Sequence, residues 1–399
     1  MFVIDAFGSP WNLDLAGLEE PLADSLRLLW SRAAVDPSSA EPAESVDVRP
    51  FVVARSADGS VTVGDGIHHG SDEHLPYAVS RALTLASLKR RVGECVLLHA
   101  AGAALPDGST VALVGPSGTG KTTASRALCQ TLGYVSDETV AVEESGRVRA
   151  WAKPLSVVID PASRWEKLEH SPDEIGLLRA PEALHLVAVI VLDRDPDLEG
   201  GPVLEQIGLV DAINDVLPQT SSLLQLESPL SRLSSLLTTG SGPWRLTYRE
   251  VTECIDLVTA VARGTARHDS IPLTWEVAGD ETVHADTEDS GRPRGAGADL
   301  VGEHTVLRRS PHREAVTSEG QAIVLQGQAT TLLPGIAAAI WTALDSPRPI
   351  TELTAMVQAD VGEHPRAADL VLAAVKDLVR AGTLAPIVET LARGGPHDE

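Results

Sequence analysis

The 399 residues are 43% hydrophobic with a mean hydropathy of +0.03, which is apolar material for more than one core and a length that predicts two or three domains. With 33 Gly and 26 Pro, collagen-like and wholly disordered chains are excluded, and the formal charge of 32 − 56 = −24 argues against nucleic-acid and membrane partners, a local basic groove apart. Cys95, Cys129 and Cys254 are too few and too far apart for a disulfide framework or a Cys-rich zinc site, and neither a membrane span nor a secretory leader is expected, so a cytoplasmic protein is.

Residues 1–92 predict an α+β packing region, with strand-like patches over 1–8 and 46–63. Leu75, Val79, Ala82, Leu83 and Ala86 follow at helical spacing, and Lys89-Arg90-Arg91 closes that helix with cations suited to its C-terminus. From 93 to 264 the pattern becomes α/β. Apolar runs at 95–99, 110–114 and 186–192 predict strands buried on both faces of a sheet. Helices are predicted over 124–132, 221–237 and 252–262, and a strand over Trp244–Tyr248. Residues 265–303 read as a linker, in which 271–277 can add a strand to either neighbour. Residues 304–390 predict a strand pair, 322–325 and 330–333, turning at Gly327, and then three helices. The first carries Ile336, Ile340 and Leu344 on one face, the second takes Thr351 as N-cap, and the third aligns Leu370, Val371, Ala374, Val375 and Leu378 before Gly382.

Gly115-Pro116-Ser117-Gly118-Thr119-Gly120-Lys121-Thr122 fits the phosphate-loop spacing, with a strand before it and a helix, entered by Thr123, after it. Glycines let successive N–H groups converge on a phosphate, and the new helix adds its positive end. Lys121 then reaches phosphate oxygens and Thr122 can ligate Mg2+. Both flanks being right disfavours a chance match. A transferase also needs a base and a metal-side acid. Asp137-Glu138 and Asp193 are the candidates, although an Asp closing a strand serves equally as a turn cap. A lone His99 at the end of an apolar run is more often a hydrogen-bonded core residue, and Lys153 and Arg194 can each stabilise transferring charge or simply be solvated.

The order of Leu97-Leu98-His99-Ala100, the phosphate loop, Ser136-Asp137-Glu138-Thr139 and Lys153-Pro154-Leu155-Ser156 resembles the HPr kinase/phosphorylase family over about 95–260, and more closely its smaller relatives from clusters for ribosomally made peptides, lasso peptides among them. The resemblance implies a P-loop kinase core using ATP and Mg2+, with Asp137 taking the proton of an acceptor hydroxyl and His99 orienting it or touching the phosphate. Lys121 then absorbs phosphate charge, and Thr122, Glu138 and Asp193 lie on the metal side. Ser136 and Glu138 stand where that family carries Ala and a second Asp.

Residues 304–390 resemble the PqqD-type winged-helix module that binds leader peptides. The matching residues are 320–325, Leu332-Leu333-Pro334-Gly335, Ile340-Trp341-Thr342-Ala343-Leu344-Asp345, and 378–384. A DNA-binding winged helix is the alternative, and Trp341 is expected in the core. Together the resemblances imply a kinase that phosphorylates Ser or Thr of a precursor peptide held by its leader, with homo-oligomerisation left open. The alternatives are ATP-driven activation of a carboxylate or small metabolite, and a non-catalytic peptide chaperone gated by nucleotide.

Overall fold

The computed structural model describes residues 1–36, 47–160, 163–266, 273–279 and 298–387. It is a mixed α/β protein with several sheets, in two compact units, Met1–Ile271 and Pro272–Glu399. No helix among the described residues is long and apolar enough to cross a membrane.

The first unit opens on a five-stranded sheet taken in chain order: Val3–Ala6, Ser9–Gly17, Arg49–Arg55, Val61–Val63 and Gly66–His68. Its apolar residues pack with the helices Glu20–Leu29 and Leu75–Arg90; the second was expected and the first was not. Leu75–Arg90 buries Thr84 and Ser87 beside Leu75, Val79 and Leu83, and each accepts a tryptophan N–H, from Trp151 at 3.1 Å and Trp11 at 2.8 Å. Leu97, Ala141 and Trp151 belong to this same core, so residues on both sides of 92 share it.

A seven-stranded sheet runs in the order Leu178–Arg179, Gly133–Ser136, Ala100–Ala104, Ser109–Val114, His185–Arg194, Trp244–Tyr248, Val203–Gln206. Ser109–Val114, His185–Arg194 and Trp244–Tyr248 are parallel and form its centre. Ser109–Val114 is buried throughout, as its apolar run requires. Helices Lys121–Leu128 and Ile255–Ala262 contribute Ala124, Leu128, Val258 and Val261 to the core around it. A four-stranded sheet, Val148–Arg149, Val140–Val142, Val96–Leu98, Thr220–Ser221, lies next to it in the chain: the backbone passes from one sheet to the other at His99 and again at 137–139. Leu155–Asp160 and Ser163–His170 pair only with each other among the described strands.

Three expected helices are shorter than their patterns. The 124–132 helix is Lys121–Leu128, and the 252–262 helix begins at Ile255 after a 3-10 turn. The 221–237 helix is Pro229–Leu237, because Ser222 takes a left-handed φ of 57° and Pro229 fits only at a helix start.

In the second unit, Glu276–Ala278, Glu314–Ser318, Gln321–Gln326 and Ala329–Pro334 form a sheet in that order, with Ala329–Pro334 at its edge. Gly327 turns the last hairpin at φ 59°. Helices Ile336–Ala343, Ile350–Val361 and Ala367–Ala381 complete a core around a fully buried Trp341. Thr351 is not the N-cap: its helix starts one residue earlier, after Pro349. Leu370 is 41% exposed, and Val371, Val375 and Leu378 form the buried stripe. Gly382 closes that helix at φ 81°. The expected linker 265–303 lies outside the described residues at 267–272 and 280–297, as do 388–390 of the last expected domain and Val46 at the start of the second patch.

Candidate functional site

The strand Ser109–Val114 delivers the chain into Gly115–Gly120, and the helix Lys121–Leu128 carries it away. Gly118 and Gly120 adopt φ of 95° and 97°, which side chains resist. A Cβ on Gly115 would lie 2.9 Å from Thr119 Oγ1 and 3.2 Å from Leu192, so the loop closes tightly over the end of His185–Arg194. Thr119 Oγ1 donates to Pro116 O at 2.9 Å, and the Tyr248 hydroxyl donates to Thr119 O. Pro116, Ser117, Gly118 and Thr123 are exposed.

Lys121 is buried, and its ammonium donates to two carbonyls of its own loop, Gly115 O at 2.6 Å and Pro116 O at 3.1 Å. Burial pushes it down to about 8 although Glu138 and Asp137 oppose that. One residue on, Thr122 Oγ1 donates to Asp137 Oδ2 at 3.2 Å. A glycine cradle with a buried ammonium and a helix start fits an anionic phosphate, and a hydroxyl set against a carboxylate fits a hard cation.

Asp137 is buried, and its Oδ1 accepts from Tyr134 Oη and pairs with Lys153 Nζ, both at 3.1 Å. Ser136, where the resembled family has Ala, uses its hydroxyl to accept the N–H groups of Glu138 and Thr139 at 3.2 and 3.1 Å, which fixes the turn that presents Asp137. Lys153 is no solvated cation. Its side chain is 1% exposed and reaches Asp137, Glu138 Oε2 at 3.6 Å and Pro154 O at 3.0 Å. Burial pulls its ammonium down, but Asp137, Glu169 and Glu138 outweigh that and hold it well above the ordinary lysine range.

His99 sits at one sheet crossing and Glu138 at the other. Its Nδ1 lies 3.0 Å from Glu138 O, and a carbonyl only accepts, so Nδ1 carries the proton and Nε2 keeps its lone pair. Ala100 N also donates to Glu138 O, at 3.1 Å, and His99 N to Gln219 O at 2.7 Å. Burial, with Lys121 nearby, lowers the His99 pKa, so the ring is neutral at pH 7.

Asp193 and Arg194 stand apart from these contacts. Asp193 is exposed and accepts from Thr247 Oγ1 at 3.4 Å; Arg194 bonds Arg249 O and pairs with Glu250. Among the described residues no three His, Cys, Asp or Glu side chains are placed to hold a metal ion together, so a cation at Thr122 would draw most of its ligands from phosphate and water. Two further members, Tyr134 and Glu169, had no functional signal in the sequence, and Ser156 entered only as the last residue of Lys153-Pro154-Leu155-Ser156. No family model and no curated protein matches the chain.

Proposed function

We propose that the chain is a kinase, an ATP- and Mg2+-dependent phosphotransferase acting on a Ser or Thr hydroxyl of a ribosomally made precursor peptide. In this reading an HPr kinase-like core does the chemistry and a PqqD-like winged-helix module holds the leader. The observation that carries it is the contact of Thr122 with Asp137, at 3.2 Å, at the mouth of a glycine-rich loop whose lysine is buried.

Bound magnesium-ATP supplies the phosphoryl group and offsets part of its charge. Lys121 gives up the carbonyls of Gly115 and Pro116 to meet phosphate oxygens, joined by the loop's backbone N–H groups. Thr122 would hold the cation, with Glu138 or Asp193 on the same side. Asp137 accepts the acceptor's proton at Oδ2 while Oδ1 stays anchored by Tyr134 and Lys153. Neutral His99 keeps Glu138 in register through its carbonyl. Peptide capture is supported by the edge position of Ala329–Pro334, whose outward backbone groups can pair with an added strand.

The test is incubation of the full chain with ATP, Mg2+ and the short peptides encoded beside its gene, followed by mass spectrometry. A gain of one phosphoryl group on a peptide is expected. Nucleotide cleavage with a new acyl bond, or binding without any product, would overturn the kinase reading.

A further inference from the structure

Glu169 lies on the strand Ser163–His170, directly opposite Ser156 in the register of its hairpin. The Ser156 hydroxyl donates to Glu169 Oε1 and receives Lys153 Nζ at 3.4 Å. Hydrogen bonds therefore run from Glu169 through Ser156 to Lys153, from Lys153 to Asp137, and from Asp137 to Thr122 of the glycine-rich loop. Glu169 is partly exposed, but its Oε2 is covered and has no hydrogen-bond partner among the described residues. A buried carboxylate oxygen without a donor is expensive, and nothing in the packing of a two-stranded hairpin requires one.

Among the described residues, the charged and titratable groups that act on Glu169 include Lys153, Asp137, Glu138 and Tyr134. Lys153 is thus the cation set among three carboxylates, while the Lys121 ammonium is engaged by its own loop.

We propose that Glu169 is a positioning residue of this site, holding the Lys153 ammonium through Ser156 and so fixing where Asp137 stands toward the glycine-rich loop. The inference rests on the kinase reading. Burial pushes Glu169 up to about 7 against the pull of Lys153 and Ser156, which agrees with a carboxylate kept beside its cation at a penalty. With a neutral amide at 169, the ammonium charge falls on Asp137 and Glu138 alone.

The experiment compares wild type, Glu169→Gln and Ser156→Ala in the full chain. It uses two probes: magnesium-ATP turnover with water as acceptor, and the 15N resonance of the Lys153 ammonium in nucleotide-free protein. Each variant is expected to lower kcat by about 10-fold or more with KM for ATP within about two-fold, the pattern of a lost orienting partner, and to move the Lys153 resonance. An unmoved resonance, or a loss confined to KM, overturns the proposal. If wild type neither cleaves ATP nor phosphorylates the peptides encoded beside its gene, the kinase reading fails and the resonance alone decides whether Glu169 acts on Lys153. Should Glu169→Gln not fold, Ser156→Ala carries the same two readouts.

Discussion

Lys153→Met keeps an unbranched side chain of similar length and removes the ammonium. What remains is Asp137, buried, with Tyr134 and Thr122 as its donors and no cation at 3.1 Å. Removing one partner of a buried ion pair costs about 3–5 kcal/mol, chiefly because the other charge is stranded. For a unit the size of Met1–Ile271, about 2 °C of Tm is lost per kcal/mol, so the variant should melt about 6–10 °C below wild type. Asp137→Asn in the same background removes the charge stranded at 137, so the double variant should be more stable than the two single losses predict by at least about 1 kcal/mol. Thermal unfolding at pH 7, followed by circular dichroism, measures all four proteins. A Lys153→Met protein melting within about 2 °C of wild type, or strictly additive losses, would refute a coupled buried pair.

Burial leaves Lys121 titrating at about 8, so in the free protein its ammonium is present below that pH and lost above it; ADP affinity should be flat in mild acid and fall by up to about tenfold per pH unit beyond 8. Calorimetric titration checks this, with Lys121→Ala weak and insensitive to pH. Glu169 is raised from 4.5 to about 7, so between those values the folded chain holds a proton that the unfolded chain has released, and stability falls as pH rises. The fall is about (7 − 4.5) × 1.36, or about 3 kcal/mol, and urea midpoints at several pH values should find that slope missing in Glu169→Gln. Removing Pro272–Glu399 should leave ATP turnover intact and raise KM for the precursor peptide with kcat little changed, as steady-state kinetics would report.

The loop and its flanks were legible because phosphate-loop spacing is itself a backbone requirement: glycines at 118 and 120 supply the left-handed φ that other residues avoid. The Asp137-Glu138 turn was legible for a similar reason, being local and closed by Ser136. Lys153 could be seen but not interpreted, since a cation before a proline reads alike on a surface or in a core. Glu169 was invisible. Its partner is set by the register that puts it across from Ser156, and no periodicity in 163–170 distinguishes it from the other charges there. The same limit applies to the pattern over 221–237, where apolar spacing suggested one helix and a left-handed Ser222 broke it. Leu370 was misjudged because a helical stripe is only as wide as the neighbours that cover it.

The two sheet crossings are tied at one atom, Glu138 O, which receives both the His99 ring and the Ala100 amide. An amide so placed, at the seam of two sheets, should exchange its hydrogen only when both sheets open together. Insertion of even one residue near 99 or 138 would therefore misplace Asp137 as surely as replacing it, while the same insertion in the exposed loop at Gly200-Gly201, where added bulk meets nothing, should pass unnoticed. A defect in the aromatic core formed by Phe7, Trp11 and Trp151 would reach the glycine-rich loop by the same seam and be read in an assay as lost chemistry.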